Sequence, residues 1–271
     1  MRGGLDFSHA NNERLFRVTR GLVRRILGGL EAPQNGRPAP DALAVVSHFA
    51  AAAIVAGPYL AAYQLRMRDR STMRQVQDTY VGAGRPRRIA AFTDRRPRRA
   101  LESGSLKLCL AHELADGVGL VAFGVGPTSH VGSGTRVFPP AARLRAKWLP
   151  GFDATVPPVL ELADALAEGD FDAVYLDTLG PMALVGAMLG GLFNVPVIAR
   201  FHRRAVARLL AGEWRTVGRR VLGFFYSQVT DVRVTDRESR ETLLALGVPV
   251  ERIAVVESER ADHISQAIAV L

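Results

Sequence analysis

Polar side chains stand directly after two apolar runs in the middle of the chain. Residues 174–176 (Val-Tyr-Leu) are followed by Asp177 and Thr178, and residues 195–201 (VPVIARF) are followed by His202. Each apolar run predicts a buried strand. Ligands of open parallel sheets bind beyond the carboxyl ends of the strands, so this carboxylate, hydroxyl and imidazole predict a binding or catalytic site.

The segment between these two runs predicts a helix. Pro181 suits its first turn, because the fixed φ of proline fits there and the missing N–H is not needed. Residues 182–193 are almost wholly apolar and uncharged, and Asn194 can end the helix. The helix and its two flanking strands make a βαβ unit, in which the strands run parallel with a right-handed crossover.

A dense run of arginines follows the first strand that we predict, residues 88–94 (RIAAFTD). We predict a basic loop over residues 95–99, at the same edge of the sheet as His202. Guanidinium groups that converge there could bind phosphate or carboxylate through bidentate hydrogen bonds, and the alternative is a solvated run of charge. The arginines concerned are Arg95, Arg96, Arg98, Arg99, Arg203 and Arg204.

The remaining pattern alternates strands with helices, which is typical of an open, doubly wound α/β sheet. We therefore predict a Rossmann-like parallel sheet, with a glycine-rich loop at 124–134 and an irregular segment at 150–158. Asp236 can cap one helix and Gly247 can stop it. The further predicted strands are 119–123, 136–138, 231–235 and one within 250–256, and the further predicted helices are 101–115, 159–167, 237–246 and 261–271. Residues 203–226 are predicted as a long, basic helical region.

We predict a helical, basic N-terminal region over residues 1–85, ahead of the Rossmann-like domain over residues 86–271. A helix over residues 13–30 either packs on its own domain or lies on an anionic membrane. Residues 42–63 carry no charge, but the stretch is rich in alanine and contains Gly57-Pro58, which favours buried helices over a membrane span. The apolar residues at helical spacing in the first helix are Leu15, Val18, Leu22 and Ile26.

Composition and the absence of several sequence motifs exclude some classes of protein function. The formal net charge of +9 favours anionic partners, and a single cysteine, Cys109, excludes an intramolecular disulfide. There is no metal-binding cysteine pattern, no GxSxG elbow, no P-loop and no secretory signal, and no nucleic-acid module accompanies the 7% of aromatic residues. We expect no cofactor, no metal and no nucleic-acid partner, and a cytoplasmic protein that can lie on the inner face of a membrane.

Residues 88–257 resemble the N-terminal, acceptor-side Rossmann domain of GT-B retaining glycosyltransferases, in particular the phosphatidylinositol mannosyltransferase and glycolipid transferase group. A strand ending in Thr-Asp opens the match, and a Gly-Val-Pro followed by Arg-Ile gives its most specific part. The segments that carry the resemblance are 89–94 (IAAFTD), 172–193, 195–202 (VPVIARFH) and 231–256.

The resemblance implies sugar transfer from a nucleotide sugar to a membrane or cell-envelope acceptor. His202 matches the histidine that lies near the reacting sugar in that family and helps to position donor and acceptor; the alternative is a retained core or loop histidine in a decayed site. Asp94 could contact an acceptor hydroxyl or cap the next turn. Thr178 and Gly180 could line the same crevice or serve only as turn residues, and Arg203 follows the histidine where the family usually has threonine.

Departures from the family pattern leave two hypotheses. The loop after the first strand has no glycine before Gly104, residues 257–259 replace the usual Gly-x-Asp, and the chain stops where a second Rossmann domain would begin. One hypothesis is a transferase component that needs a C-terminal GT-B partner chain to bind the donor. The other is a non-catalytic pseudoenzyme, a binding or scaffold protein for a phosphorylated or otherwise anionic ligand.

Overall fold

The protein was analysed as a computed structural model of the chain. The structure describes residues 17–26, 47–48, 50–65, 87–102, 106, 109–110, 114, 117–127, 129–132, 134–145, 153–211 and 215–256. The closing helix predicted over residues 261–271 therefore lies outside the described residues, as do most of the helix predicted over residues 101–115 and Leu15 of the first predicted helix.

An eight-stranded, mostly parallel sheet forms the centre of the molecule, and a separate two-stranded hairpin lies beside it. The main-sheet strands are β1 (Arg88–Phe92), β2 (Gly119–Val125), β3 (His130–Gly132), β4 (Thr135–Phe138), β7 (Ala173–Leu176), β8 (Val197–Arg200), β9 (Asp231–Val234) and β10 (Ile253–Val255), and the hairpin strands are β5 (Ala142–Arg145) and β6 (Asp153–Val156). The order in the main sheet is β10-β9-β8-β7-β1-β2-β4-β3, and among these described strands only β3 runs antiparallel to its neighbour. This sheet confirms the predicted Rossmann-like α/β fold.

The described helices connect these strands and cover the sheet. Two of them, α3 and α5, begin with proline at the first position, as the sequence predicts for α5. Asn194, at φ 54°, and Gly247, at φ 85°, take left-handed backbone conformations that end α5 and α8. The helices are α1 (17–26), α2 (50–65), α3 (Pro97–Leu101), α4 (Val159–Gly169), α5 (Pro181–Leu192), α6 (Arg203–Leu209), α7 (Arg215–Ser227) and α8 (Arg237–Ala245).

Apolar residues cover the sheet on both faces. On one face α4, α5 and α7 pack around Phe92 and Phe123, whose rings lie 5.3 Å apart edge to face. On the other face a smaller cluster places Leu106 and Leu110 over Tyr175. Each such side chain, fully buried, contributes roughly 1.5–3 kcal/mol through removal from water, so the two clusters fix the sheet between its helices.

The strand register brings the ends of three strands to one level. Phe92 of β1 lies beside Leu176 of β7, and Leu176 lies beside Ala199 of β8. The Asp177 N–H continues the ladder by donating to the Phe92 carbonyl at 3.0 Å. The polar residues that follow these strands therefore emerge at one edge of the sheet.

Several predicted segments are wrong in detail. The predicted loop at 124–134 contains the end of β2 and all of β3, and the predicted irregular segment 150–158 contains β6, which pairs with β5. The predicted basic loop at 95–99 is half helix, since α3 begins at Pro97. In each of these cases pairing or packing with distant residues decides the structure, and local patterns do not report it. The helical region predicted over 203–226 is present as two helices, α6 and α7.

The two N-terminal helices pack on the rest of the molecule. Val23 and Ile26 of α1 and Ala52 of α2 join one apolar cluster with Ala142 and Val156 of the hairpin. Acidic residues of α4 add polar contacts: the Tyr63 hydroxyl donates to Asp164 at 2.7 Å, and Arg24 pairs with Glu161 at 2.8 Å. In the described part of the chain, no helix is both long and apolar enough to span a membrane.

Candidate functional site

Asp94 holds the start of α5. Its Oδ1 accepts the Met182 N–H at 2.9 Å, and its Oδ2 accepts the Thr178 hydroxyl. The Thr178 hydroxyl oxygen in turn accepts the Asp94 N–H at 3.1 Å. The residue at the N-cap position of α5 is Gly180, which has no side chain, so Asp94 supplies the cap from the end of β1.

The contact between Asp94 and the start of α5 requires glycine at position 180, because there is no room for a side chain. Its φ of −143° is ordinary extended backbone, which any residue adopts. A Cβ at this position would lie 2.3 Å from Oδ2 of Asp94 and 2.6 Å from its carboxyl carbon. The absence of a side chain at Gly180 therefore lets the Asp94 carboxylate reach the helix.

Thr93 and Asp177 form a second link beneath this one, and both are fully buried. The Thr93 hydroxyl donates to Oδ2 of Asp177 at 3.0 Å and accepts the Arg95 N–H at 3.1 Å. Oδ1 of Asp177 is buried without a hydrogen-bond partner among the described residues. These contacts tie the ends of β1 and β7 together and fix the backbone that leads into the basic segment.

His202 follows β8 and is half-buried against the same edge. Its Nε2 contacts the backbone carbonyl oxygen of Asp177. A carbonyl oxygen only accepts hydrogen bonds, so Nε2 carries the hydrogen and donates it. In the neutral ring the lone pair is then on Nδ1, which leaves Nδ1 able to accept a proton or a hydrogen bond from a ligand hydroxyl.

Residues 110–258 match the family model described as the glycosyl transferase 4-like domain, and this match covers more than half of the chain. The chain belongs to the glycosyl transferase 4-like domain family. The family match confirms the predicted resemblance at this level, although the matched segment begins at Leu110 and we placed the start at residue 88. His202 and Thr178 lie within the matched residues, whereas Asp94 lies ahead of them.

Solved structures similar to this glycosyl transferase 4-like domain include a UDP-N-acetylglucosamine 2-epimerase from Rickettsia bellii. The two are 14% identical, with a TM-score of 0.42, and the alignment covers 68% of this chain and 48% of the epimerase chain. The chain thus spans about half the length of that epimerase. No curated protein matches the chain.

Electrostatics at the edge of this glycosyl transferase 4-like domain favour the neutral form of the His202 imidazole. Burial lowers the pKa of the imidazole, and the positive charges of Arg200 and Arg95 lower it further, against the opposing effect of Asp177. Burial raises the pKa of the Asp94 carboxyl, while its hydrogen bonds from Thr178 and Met182 act in the other direction. Asp94 as a whole is exposed to solvent. Its carboxylate group, however, lies against Gly180 at the start of α5, and this contact shields it.

The pH dependence of stability follows from His202. Because the folded-state pKa lies below the unfolded value of about 6.5, the unfolded chain binds more protons in the window between the two. The contribution of neutral His202 to the free energy of unfolding is therefore complete above about pH 6.5, and it is lost as the pH falls towards the folded-state pKa. We expect His202→Gln to remove part of the acid-side loss of unfolding free energy, measured by urea unfolding across pH 5 to 8.

A matched histidine variant controls this pH experiment. His48→Gln removes an imidazole outside the sheet edge. We expect the acid-side slope of the unfolding free energy to change more in His202→Gln than in this control. If His202→Gln and His48→Gln change that slope equally, the proposed burial of a neutral His202 is wrong.

The predicted arginines are not engaged alike. Arg95 lies close enough to His202 for its charge to act on the imidazole. Arg98 donates a hydrogen bond at 3.1 Å to Glu102, the residue that follows α3, and Arg203 pairs with Glu238 at 2.6 Å. These pairs are exposed, so each contributes about 0–1 kcal/mol and can be exchanged for a ligand anion at little cost. The remaining three, Arg96, Arg99 and Arg204, are exposed.

A partly buried polar cluster around β8 and β9 was not predicted from the sequence. Arg233 of β9 donates to the backbone carbonyl of Cys109 and pairs with Asp231 at 3.1 Å. Burial raises the pKa of the Cys109 thiol, and the positive charges of Arg200 and Arg233 act in the opposite direction. Charged residues within two strands, Arg200 in β8 and Asp231 and Arg233 in β9, were the available signal for this cluster. Its contacts join the helical segment around Cys109 to the sheet.

Two further features lie outside this site. A cleft of about 260 Å³ lies between α1, β4 and α4, and none of its lining residues belongs to the edge around His202. Its charged residues pair with one another, as Arg136 does with Glu168 at 4.0 Å. Within the residues that the structure describes, no group of three or more His, Cys, Asp or Glu side chains could hold a metal ion.

Proposed function

We propose that this protein is the acceptor-side component of a glycosyltransferase, related to the phosphatidylinositol mannosyltransferase and glycolipid transferase group. It would move a sugar from a nucleotide sugar to a membrane or cell-envelope acceptor, with a C-terminal GT-B partner chain binding the donor. Membership of the glycosyl transferase 4-like domain family supports the glycosyl-transfer part of this proposal. In the same proposal, residues 1–85 are a helical region appended to a transferase-type domain of residues 86–271.

The observation that carries this proposal is the state of His202. An imidazole that donates through Nε2 to a backbone carbonyl and stays neutral has a free basic nitrogen. Placed at the carboxyl edge of the sheet, Nδ1 can accept a hydrogen bond from a sugar hydroxyl and so orient the donor against the acceptor. We assign His202 this positioning and proton-accepting role.

The residues around His202 have supporting roles in the proposal. Asp94, Thr178 and Gly180 keep the start of α5 in place, so that the edge is rigid. Arg95, Arg98, Arg99 and Arg203 supply positive charge for a phosphate or phosphorylated acceptor. Guanidinium groups match phosphate oxygens bidentately, and the exposed ion pairs of Arg98 and Arg203 do not prevent that use.

A second candidate function is a non-catalytic binding or scaffold protein for an anionic ligand. The observation in its favour is that both carboxylate oxygens of Asp94 already accept hydrogen bonds, one from the Met182 N–H at the start of α5 and one from the Thr178 hydroxyl. An acceptor hydroxyl would have to compete with these bonds. The segment after β1 also lacks a glycine that would let a ligand approach the backbone closely.

Nucleoside diphosphate release tests the two candidates. The full chain would be incubated with UDP-, GDP- and ADP-sugars, alone, with lipid vesicles and with candidate C-terminal GT-B chains. We expect release with one donor and a loss of about 100-fold in rate in His202→Ala, because a positioned proton acceptor contributes about that factor. His48→Ala, outside the edge, should change the rate little.

The outcomes of this assay separate the candidates. Release that is lost in His202→Ala and kept in His48→Ala supports the transferase component. Release that is equal in both variants contradicts the role of His202. No release in any combination, together with binding of nucleotide or inorganic phosphate by the chain, favours the scaffold.

A further inference from the structure

Four polar side chains form a row across one face of the main sheet, next to His202. Arg200 of β8 is paired with Arg233 of β9. The register of β7 with its two neighbours places Asp177 beside Arg200 on one side and beside Thr93 on the other. Neighbouring strands lie about 4.8 Å apart, so each of these residues is the lateral neighbour of the next. We name Thr93, Asp177, Arg200 and Arg233 the polar row.

The polar row lies on the face of the sheet opposite α4, α5 and α7. Side chains along a strand alternate between the two faces. Val174 and Leu176 of β7 contact the large apolar cluster that includes those helices. Tyr175 belongs to the smaller cluster with Leu106, and Asp177 follows Tyr175 on that side. The row therefore continues the smaller apolar cluster towards the carboxyl edge of the sheet.

His202 emerges on the same face, two residues beyond Arg200. Ile198 belongs to the smaller cluster, and Arg200 and His202 follow it at every second position. The ring is also tied to β7, because Nε2 donates to the backbone carbonyl oxygen of Asp177. The imidazole is thus placed next to one acidic and one basic member of the polar row.

One oxygen of the Asp177 carboxylate has no hydrogen-bond partner among the described residues. The side chain is fully buried, and its Oδ2 accepts the Thr93 hydroxyl at 3.0 Å, whereas Oδ1 accepts nothing there. Removal of an unpaired carboxylate oxygen from water costs free energy. An asparagine at position 177 would accept the same bond from Thr93 without a charge. The link to Thr93 alone therefore does not account for an acid at this position.

Charges of both signs face the His202 imidazole from the neighbouring strand ends. Burial lowers its pKa most, and the guanidinium of Arg200 lowers it further. The carbonyl and the carboxylate of Asp177 raise it, and Arg95, in the segment after β1, lowers it. Of the nearby exposed arginines, Arg203 is paired with Glu238 at 2.6 Å. Arg200 and Asp177 are therefore the two charged groups of opposite sign nearest to the ring along the sheet.

The groups beneath the polar row add no charge near neutral pH. Burial raises the pKa of the Cys109 thiol and raises that of the Tyr175 hydroxyl well above its ordinary value. Asp94, at the end of β1, accepts hydrogen bonds from Met182 and Thr178 at the start of α5. These contacts leave the pair of Asp177 and Arg200 as the charges that the sheet itself presents to the imidazole.

We propose that Asp177 and Arg200 are positioning residues of opposite charge that together set the protonation state of His202. Arg200 favours the neutral ring, which can accept a hydrogen bond or a proton. Asp177 holds the ring through its backbone carbonyl, and its carboxylate keeps the ring from becoming too weak a base. A proton acceptor works best when its pKa lies near the working pH, which requires both contributions. This inference rests on the proton-accepting role that we propose for His202.

NMR titration of the His202 ring in the full chain, without a sugar donor, tests the inference. The ring signal is identified by its absence in His202→Gln. Asp177→Asn should lower the pKa of His202 by about one pH unit and Arg200→Gln should raise it by about as much, the low end of the effect of a neighbouring charge. The double variant should return the pKa close to its value in the unsubstituted protein, because the two opposite charges are removed together.

Two control variants separate charge from structure. Thr93→Val removes the hydroxyl that Asp177 accepts but keeps the carboxylate. Arg204→Gln removes an exposed guanidinium two residues beyond His202, where solvent screens its charge. Each should move the pKa of His202 by less than half as much as Asp177→Asn does. Because Arg200 is only half-buried, Arg200→Gln keeps the test decisive even where Asp177→Asn does not fold.

The direction of the changes decides the outcome. Opposite changes that cancel in the double variant support the inference. A fall or no change of the pKa in Arg200→Gln overturns it, as does a change in Thr93→Val as large as that in Asp177→Asn. Nucleoside diphosphate release is read separately. Opposite pKa changes together with release that does not depend on His202 would contradict the proposed function alone, and His202-dependent release without those changes would contradict this inference alone.

Discussion

Gly218→Ala is expected to lower the free energy of unfolding by about 2–3 kcal/mol. A Cβ at Gly218 would lie 1.9 Å from the backbone oxygen of Leu209 and 2.7 Å from its carbonyl carbon. These are backbone atoms at the end of α6, so no side-chain rotation relieves the clash. To accommodate alanine, α7 must move away from α6, which disturbs the packing of Leu222 and Phe225 on the core.

Gly223 in the same helix is the matched control. Nothing lies within 4 Å of the position that its Cβ would take. Gly223→Ala should therefore raise the free energy of unfolding by about 0.5–1 kcal/mol, the helix preference of alanine over glycine. Urea unfolding followed by circular dichroism measures both variants. Equal effects at the two positions would contradict the close approach of α6 and α7.

Gly180→Ala and Asp94→Ala are expected to cost about the same, roughly 1–2 kcal/mol each, and not to add. The alanine Cβ would lie 2.3 Å from Oδ2 of Asp94. The Asp94 carboxylate can rotate away, but it then leaves the Met182 N–H and the Thr178 hydroxyl. Both substitutions thus remove one and the same cap of α5.

A double-mutant cycle in the free energy of unfolding checks this cap. In the Asp94→Ala background there is no carboxylate for the alanine Cβ at position 180 to meet. Gly180→Ala should then lower the free energy of unfolding by only a few tenths of a kcal/mol. The coupling energy should be about 1–2 kcal/mol. Additive costs would mean that the Gly180 contact and the Asp94 cap act independently, and the geometry described for the start of α5 would not govern stability.

Elements with strong local signals were predicted well. The run Val174 to Leu176 lies in β7, Pro181 begins α5, and Asn194 ends that helix in a left-handed conformation. Asp236 caps α8 by accepting the Ser239 N–H at 2.7 Å, as its position predicted. Apolar runs, the fixed φ of proline and the short polar side chains of caps act within a few residues, so the sequence reports them directly.

Elements that depend on a distant partner were missed. The hairpin of β5 and β6 becomes visible only when Ala142 pairs with Val156 and both are buried by α1 and α2. The extension of β2 through Gly124 depends on pairing with β4, where Gly124 lies opposite Val137. Short strands without alternation carry too little local signal to be recognised alone.

From the sequence alone, the α/β fold and the positions of Asp94, Thr178 and His202 at the ends of strands could be determined, because strand ends follow from apolar runs. The tertiary structure decided where those side chains lie. Asp94 meets Thr178 across 84 residues of chain, and His202 meets the Asp177 carbonyl across 25. Such contacts are set by strand register and by the packing of α5, which no local pattern contains.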